Sequence, residues 1–209
     1  MSEIVIEVGK RHIREINEEI QEACKTGQPI RVVNTLSRHN LGVGLPDNVD
    51  ITFEGSVGYY CGGLNTGANI KIERNSGWAT GEGMAKGHIE VGGRAGMSCG
   101  AAMIGGTIHV KGDAGPRCGV AMKGGNIVVE GTIGYQSGFM AHAGKIIALG
   151  GAGNPVLTRC GRARSGSRGR SKVWVWMSTS WNPRQRKSLK WTRFLNRWAL
   201  STARATGAR

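Results

Sequence analysis

Cys61, Cys99 and Cys118 are each followed by a glycine and share one phase of a 19-residue spacing, with Thr80 and Ser137 completing the series. Thiolates one strand spacing apart, ~4.8 Å, are close enough for a disulfide or for metal ligation. Only Cys99 and Cys118 adjoin, however, and His88, His109 and His142 fall at other phases. The series reads as small side chains lining a tight corner, with thiols that stay reduced in a cytosolic setting. Met84, Met103 and Met122 share another phase, which suits side chains that fill irregular core gaps. Glu54 and Glu73 share a third, but its later members are Gly92, Lys111 and Glu130. Acid–base chemistry needs two placed carboxylates or a partner histidine, and no cluster of the kind that β-helix hydrolases and lyases display in a groove is expected here. Ser56, Ser76, Ser98 and Ser137 lie in glycine-rich corners and form no Ser/His/Asp set. Gly42-Val43-Gly44 and Gly81-Glu82-Gly83 lack the third glycine and the helix of a dinucleotide loop. The expectation is a chain with no catalytic, cofactor-binding or metal residue of its own.

What positions these residues is the period itself. From Ile51 to Gly153 the chain falls into rows of 19. One structural glycine ladder reads Gly58, Gly77, Gly96, Gly115, Gly134 and Gly153. A second reads Gly62, Gly81, Gly100, Gly119 and Gly138. A third reads Gly87, Gly106, Gly125 and Gly144. Between them recur the apolar pairs Ile51/Phe53, Ile70/Ile72, Ile89/Val91, Ile108/Val110, Ile127/Val129 and Ile146/Ala148. A strict period marks stacked repeats, and apolar-x-apolar alternation marks a short strand with one side inward. Nineteen residues span about 60 Å of extended chain, one circuit of a narrow coil. The pattern predicts an all-β parallel β-helix of about six 19-residue coils, its isoleucines forming one buried stripe. A hexapeptide left-handed helix fits less well, because 19 is not a multiple of six.

The predicted organisation has three parts. Residues 1–33 form an N-terminal strand–helix–strand cap, with strands at 4–8 and 30–33. Its helix, over 11–25, has Ile13, Ile16, Ile20 and Cys24 on one face. It covers strand edges that an open coil would expose. Residues 34–153 form the β-helix, entered through a turn-rich lead-in at 34–46. Residues 154–209 form a basic tail, expected to be disordered or the product of a shifted reading frame. The tail holds 14 of the 28 Lys and Arg and none of the 14 Asp and Glu, so residues 1–153 are neutral despite the net charge of +14. Five of the six tryptophans lie there as well. A nucleic-acid-binding tail and a membrane-surface helix around Trp191, Phe194, Leu195 and Trp198 are the competing readings. Neither a secretory signal nor an apolar run long enough to span a membrane is visible, so the expected localisation is cytoplasmic, with no membrane and no nucleic-acid partner.

The row Gly-x-Val-Gly-x-x-x-Gly, the segment from Gly81 to Val91, and Asn34-Thr35, Arg38 and Gly42-Val43-Gly44 together resemble the GXGXG domain. That domain forms the C-terminal part of the glutamate synthase large subunit and stands alone as one of the subunits of formylmethanofuran dehydrogenase. With Ser37-Arg38-His39-Asn40-Leu41 and Gly58-Tyr59-Tyr60, the chain is most similar to stand-alone members such as the small subunit of N-methylglutamate synthase and the rhizobial GlxC. The resemblance covers residues 3–153. It implies a right-handed β-helix without catalytic residues, acting as a structural subunit of a glutamate-synthase-like oxidoreductase and amidotransferase complex. It also implies two partners, a glutaminase-like amidotransferase subunit and a synthase subunit that carries FMN and an iron–sulfur cluster. The alternatives are a stand-alone β-helix enzyme and a nucleic-acid-binding protein acting through its tail.

Overall fold

A computed structural model describes residues 3–152 and, beyond them, two strands at 163–168 and 171–177. The chain opens with β1 (Ile4–Glu7), helix α1 (Ile13–Cys24) and β2 (Ile30–Val33). α1 begins where the His12 ring accepts a hydrogen bond from the Arg14 amide, and it buries Ile16, Ile20 and Ala23. Gly27, at φ +68°, turns the chain out of it. β1 and β2 pair in parallel.

The coils follow as β3 (Asp50–Phe53), β4 (Asn69–Ile72), β5 (His88–Val91), β6 (Thr107–Val110), β7 (Lys123–Val129) and β9 (Ala143–Ala148), with short β8 (Thr132–Ile133) and β10 (Gly151–Ala152) on a second line. Each strand pairs in parallel with its counterpart in the next coil, so that Ile30, Ile51, Ile70, Ile89, Ile108, Ile127 and Ile146 lie opposite one another in turn. All seven are buried, as is the neighbouring column Val32, Phe53, Ile72, Val91, Val110, Val129 and Ala148. Withdrawing one such large apolar side chain from water contributes ~1.5–3 kcal/mol, and the period repeats that gain in every coil. The molecule is a parallel β-solenoid with a 19-residue coil. β1 and β2 continue its sheet at the N-terminal end. Isolated bridges Ser76–Ala95, Ala95–Ala114 and Ala114–Ile133 form a second line of coil-to-coil pairing.

At the other end the direction of pairing changes. β12 (Ser171–Met177) runs antiparallel to β9, and β11 (Ala163–Arg168) antiparallel to β12. The change coincides with the loss of the 19-residue period. The rest of the stretch from 153 to 209, including Trp181, Trp191, Phe194, Leu195 and Trp198, lies outside the described residues, and with it most of the expectation of a disordered or frame-shifted tail. Among the described residues no helix is long and apolar enough to cross a membrane.

Candidate interaction surface

Between the bridge line and the next ladder strand, each coil rounds a corner through an arc of six residues: 59–64, 78–83, 97–102, 116–121 and 135–140. Three positions of each arc are left-handed. In the first they are Tyr60 at φ 62°, Gly62 at 66° and Leu64 at 54°; in the third, Ser98 at 60°, Gly100 at 67° and Ala102 at 53°. The alternation turns amides toward opposite neighbours. The Ala79 and Gly83 amides donate to Met97 O and Ala101 O of the following coil, while the Gly81 amide donates to Cys61 O of the preceding one. The corner thereby satisfies its backbone groups as a strand would.

Why the middle position is always glycine follows from direction. A Cβ on Gly100 would stand 2.5 Å from Ile127 Cδ1, inside the isoleucine stripe. At the flanking positions side chains project outward, so Tyr60, Ser98 or Arg117 bears only the left-handed cost, ~1–2 kcal/mol. The ladder that begins at Gly58 has a different reason. A Cβ on Gly96 would meet Gly77 C at 2.7 Å and the Trp78 ring at 2.8 Å, so bare Cα atoms let the coils stack and let each ring lean over the next coil. The lead-in obeys the same rules: Asn40, Gly42 and Gly44 are left-handed, and a Cβ on Gly42 would meet Phe53 Cζ at 2.8 Å. Here α1 replaces the missing coil. Asn17 donates to Asn40 O and accepts from the Gly42 amide, and Gln21 donates to the carbonyls of Val43 and Gly44.

The outward side of the arcs carries little charge. Across all five arcs the charged residues are Glu82 and Arg117. Tyr59, Leu64, Trp78, Tyr135 and Met140 stand on it, between 43% and 56% exposed. Tyr59 stacks on His39 at 4.3 Å and on Trp78 at 4.9 Å, and its amide donates to His39 Nδ1. Met97 and Pro116 continue that column, half-buried, toward Tyr135. The other sides carry the ion pairs: Lys111 with Glu90 at 2.7 Å, Arg94 with Asp113 at 3.4 Å, and Arg31 with Glu3, Glu54 and Glu73. Sequence reasoning missed the arc surface because it sought like residues in each column, and here the types change from row to row.

The chemically capable residues are distributed as follows. Cys61, Thr80, Cys99, Cys118 and Ser137 form a buried column. Thr80 and Ser137 turn their hydroxyls back to the carbonyls of Gly77 and Gly134. The Cys99–Cys118 hydrogen bond, and then burial, push the Cys118 thiol well up; burial does the same to Cys61. Thr80 separates Cys61 from Cys99, so the column sets only two sulfur atoms in neighbouring coils, where a cluster is held by four ligands. On the ladder strands the structure corrects the expectation that no carboxylate–histidine cluster forms. Glu90 and His109, 19 residues apart, pair across adjacent coils, and with His88, Lys111 and Glu130 they make one group in which His109 Nε2 is 2.8 Å from Glu130 Oε1. Burial, with the nearby His109, holds His88 below its ordinary range. Burial opposes ionisation of Glu90, but Lys111, with lesser help from His109 and Lys71, outweighs it and lowers the carboxyl. His142 stands apart and exposed on the last arc's far side. Among the described residues no three His, Cys, Asp or Glu are grouped to hold a metal ion.

Comparison with protein families finds one match: the model described as GXGXG motif aligns with residues 6–161. No curated protein and no solved structure matches the chain.

Proposed function

The chain belongs to the GXGXG motif family, the domain found in the C-terminal region of the glutamate synthase large subunit, and from that membership we propose that it is a non-catalytic structural subunit of a glutamate-synthase-like complex. The nitrogen-transfer chemistry belongs, on this reading, to the partners: a glutaminase-like amidotransferase and a synthase subunit bearing FMN and an iron–sulfur cluster. N-methylglutamate synthase is the type of complex we propose, on the strength of Ser37-Arg38-His39-Asn40-Leu41 and Gly58-Tyr59-Tyr60.

The observation that carries the reading is the division of the surface. A rigid column satisfies its own backbone and pairs many of its charges, yet leaves one long side nearly free of charge and lined with exposed aromatic and apolar groups. Monomeric proteins rarely leave such a patch uncovered without a use for it. Co-purification from native cells tests the proposal. The expected companions are a glutaminase-like protein and a flavin- and iron–sulfur-containing protein, and the assembly transfers nitrogen between glutamate and an amine. A chain that elutes alone near its 22.2 kDa mass, or companions of neither kind, sinks it.

A further inference from the structure

We infer that the arc surface is the seat of an α-helix supplied by a partner protein, lying along the solenoid axis. That helix has an apolar stripe, a basic residue at one position and an acidic residue seven further on. Tyr59, Trp78, Met97, Pro116 and Tyr135 follow one another up the column at the strand spacing, ~4.8 Å. A helix advances ~5.4 Å per turn. Over two intervals the two repeats drift by only about a quarter of a turn, so on the middle rows helix side chains at i, i+3/i+4 and i+7 fall between successive rows. The middle rows offer room for them, since Ala79, Gly83, Ser98, Ala101, Ala102 and Ala121 lie between the bulkier Leu64 and Met140.

Charge selects the occupant. Glu82 and Arg117 belong to the second and fourth arcs, two coils or ~10 Å apart along the axis. Seven residues of helix rise ~10.5 Å, so a cation and an anion at that interval meet both. Among the described residues Glu82 has no ion-pair partner. Among the same residues the Arg117 side chain has one hydrogen bond, from its Nε to Gln136 Oε1 at 3.2 Å, and no ion pair. A second copy of this chain fits less well, because its arcs present no helix.

The inference depends on the proposed function only for which protein donates the helix. Two synthetic helical peptides with the same Leu/Ala stripe test the rest, titrated calorimetrically into the full chain. One carries Lys and Glu seven apart, the other Glu at both places. The Lys/Glu peptide binds about fivefold tighter or better, Glu82→Arg inverts the preference, and Ala102→Glu abolishes binding of both with unchanged circular dichroism. Equal affinities, no binding, or indifference to Ala102→Glu overturns the inference. So does a wild-type dimer that Ala102→Glu dissociates, which gives the surface to a second copy. A photo-cross-linker at Ala102 in native cells separates the two readings. If the peptide results hold but the cross-linked protein is neither of the expected subunits, the subunit role fails and the helix seat stands. If those subunits co-purify without cross-linking, the seat fails alone.

Discussion

At Gly100 and Ala102 the backbone is the same and the consequence of a side chain is opposite. Both are left-handed, at φ 67° and 53°, but a Cβ at Gly100 enters the isoleucine stripe while that of Ala102 points away from it. Gly100→Ala therefore combines left-handed strain, ~1–2 kcal/mol, with overpacking, ~1–3 kcal/mol. Ala102→Gly relieves strain but loosens the unfolded chain by a similar amount, so its expected effect is close to zero. Urea denaturation of both variants checks the pair, and equal losses at the two sites contradict the inward–outward assignment. The buried thiols yield a second prediction at this scale. Cys61 and Cys118 have raised values in the folded state. Their contribution is fully present below the ordinary thiol value of 9.0 and is lost as pH rises above it, because only the unfolded chain then releases their protons. Stability should fall between about pH 9 and 11. Ellman's reagent should meanwhile leave Cys61, Cys99 and Cys118 unmodified until denaturant is added. Rapid labelling of those three in the native chain contradicts the enclosed column.

Among the elements, α1 does the work of a coil that the sequence does not contain. The amide side chains of Asn17 and Gln21 meet the backbone of the lead-in as a neighbouring coil's backbone meets the arcs. Asn17→Leu leaves the buried Gly42 amide without its acceptor, at a cost of ~1–3 kcal/mol. Hydrogen exchange at Gly42 should accelerate while that at Gly81 and Gly100 stays slow; unchanged protection at Gly42 refutes the capping role. How legible such elements are in the sequence depends on whether geometry demands a residue type. The isoleucine pairs and the three glycine ladders are demanded by burial and by close approach, so the 19-residue coil, the parallel stacking and the cap helix can all be read directly. The left-handed positions Tyr60, Ala79, Ser98, Arg117 and Gln136 are held there by hydrogen bonds between coils. Outward-facing residues tolerate the strain, no type is required, and the column has no signature. The lead-in is obscured differently: Ile30 to Ile51 spans two residues more than a coil, which puts Gly42 out of phase with the ladder whose task it shares.

For the whole molecule, stacking makes the coil the unit that can be added or removed. Each coil meets only its two neighbours, so stability approximates a sum over coils and the interfaces between them. Deleting residues 89–107 joins His88 to Ile108 and restores every column: the glycine of arc 78–83 then lies beneath that of arc 116–121, and Ile70 lies beside Ile108. That chain should fold, with circular dichroism per residue unchanged and a modestly lower melting temperature. Deleting 89–106 is smaller by one residue but shifts every later side chain to the wrong face, and it should give aggregated protein. The same excision bears on recognition. It removes the Met97–Ala102 arc and brings Glu82 and Arg117 from two coils apart to one, ~5 Å along the axis, a distance that two helix residues seven apart cannot match. The shortened column should therefore remain folded while losing its preference for the Lys/Glu peptide. If it folds and keeps that preference undiminished, the axial spacing of the two charges is not what the partner reads.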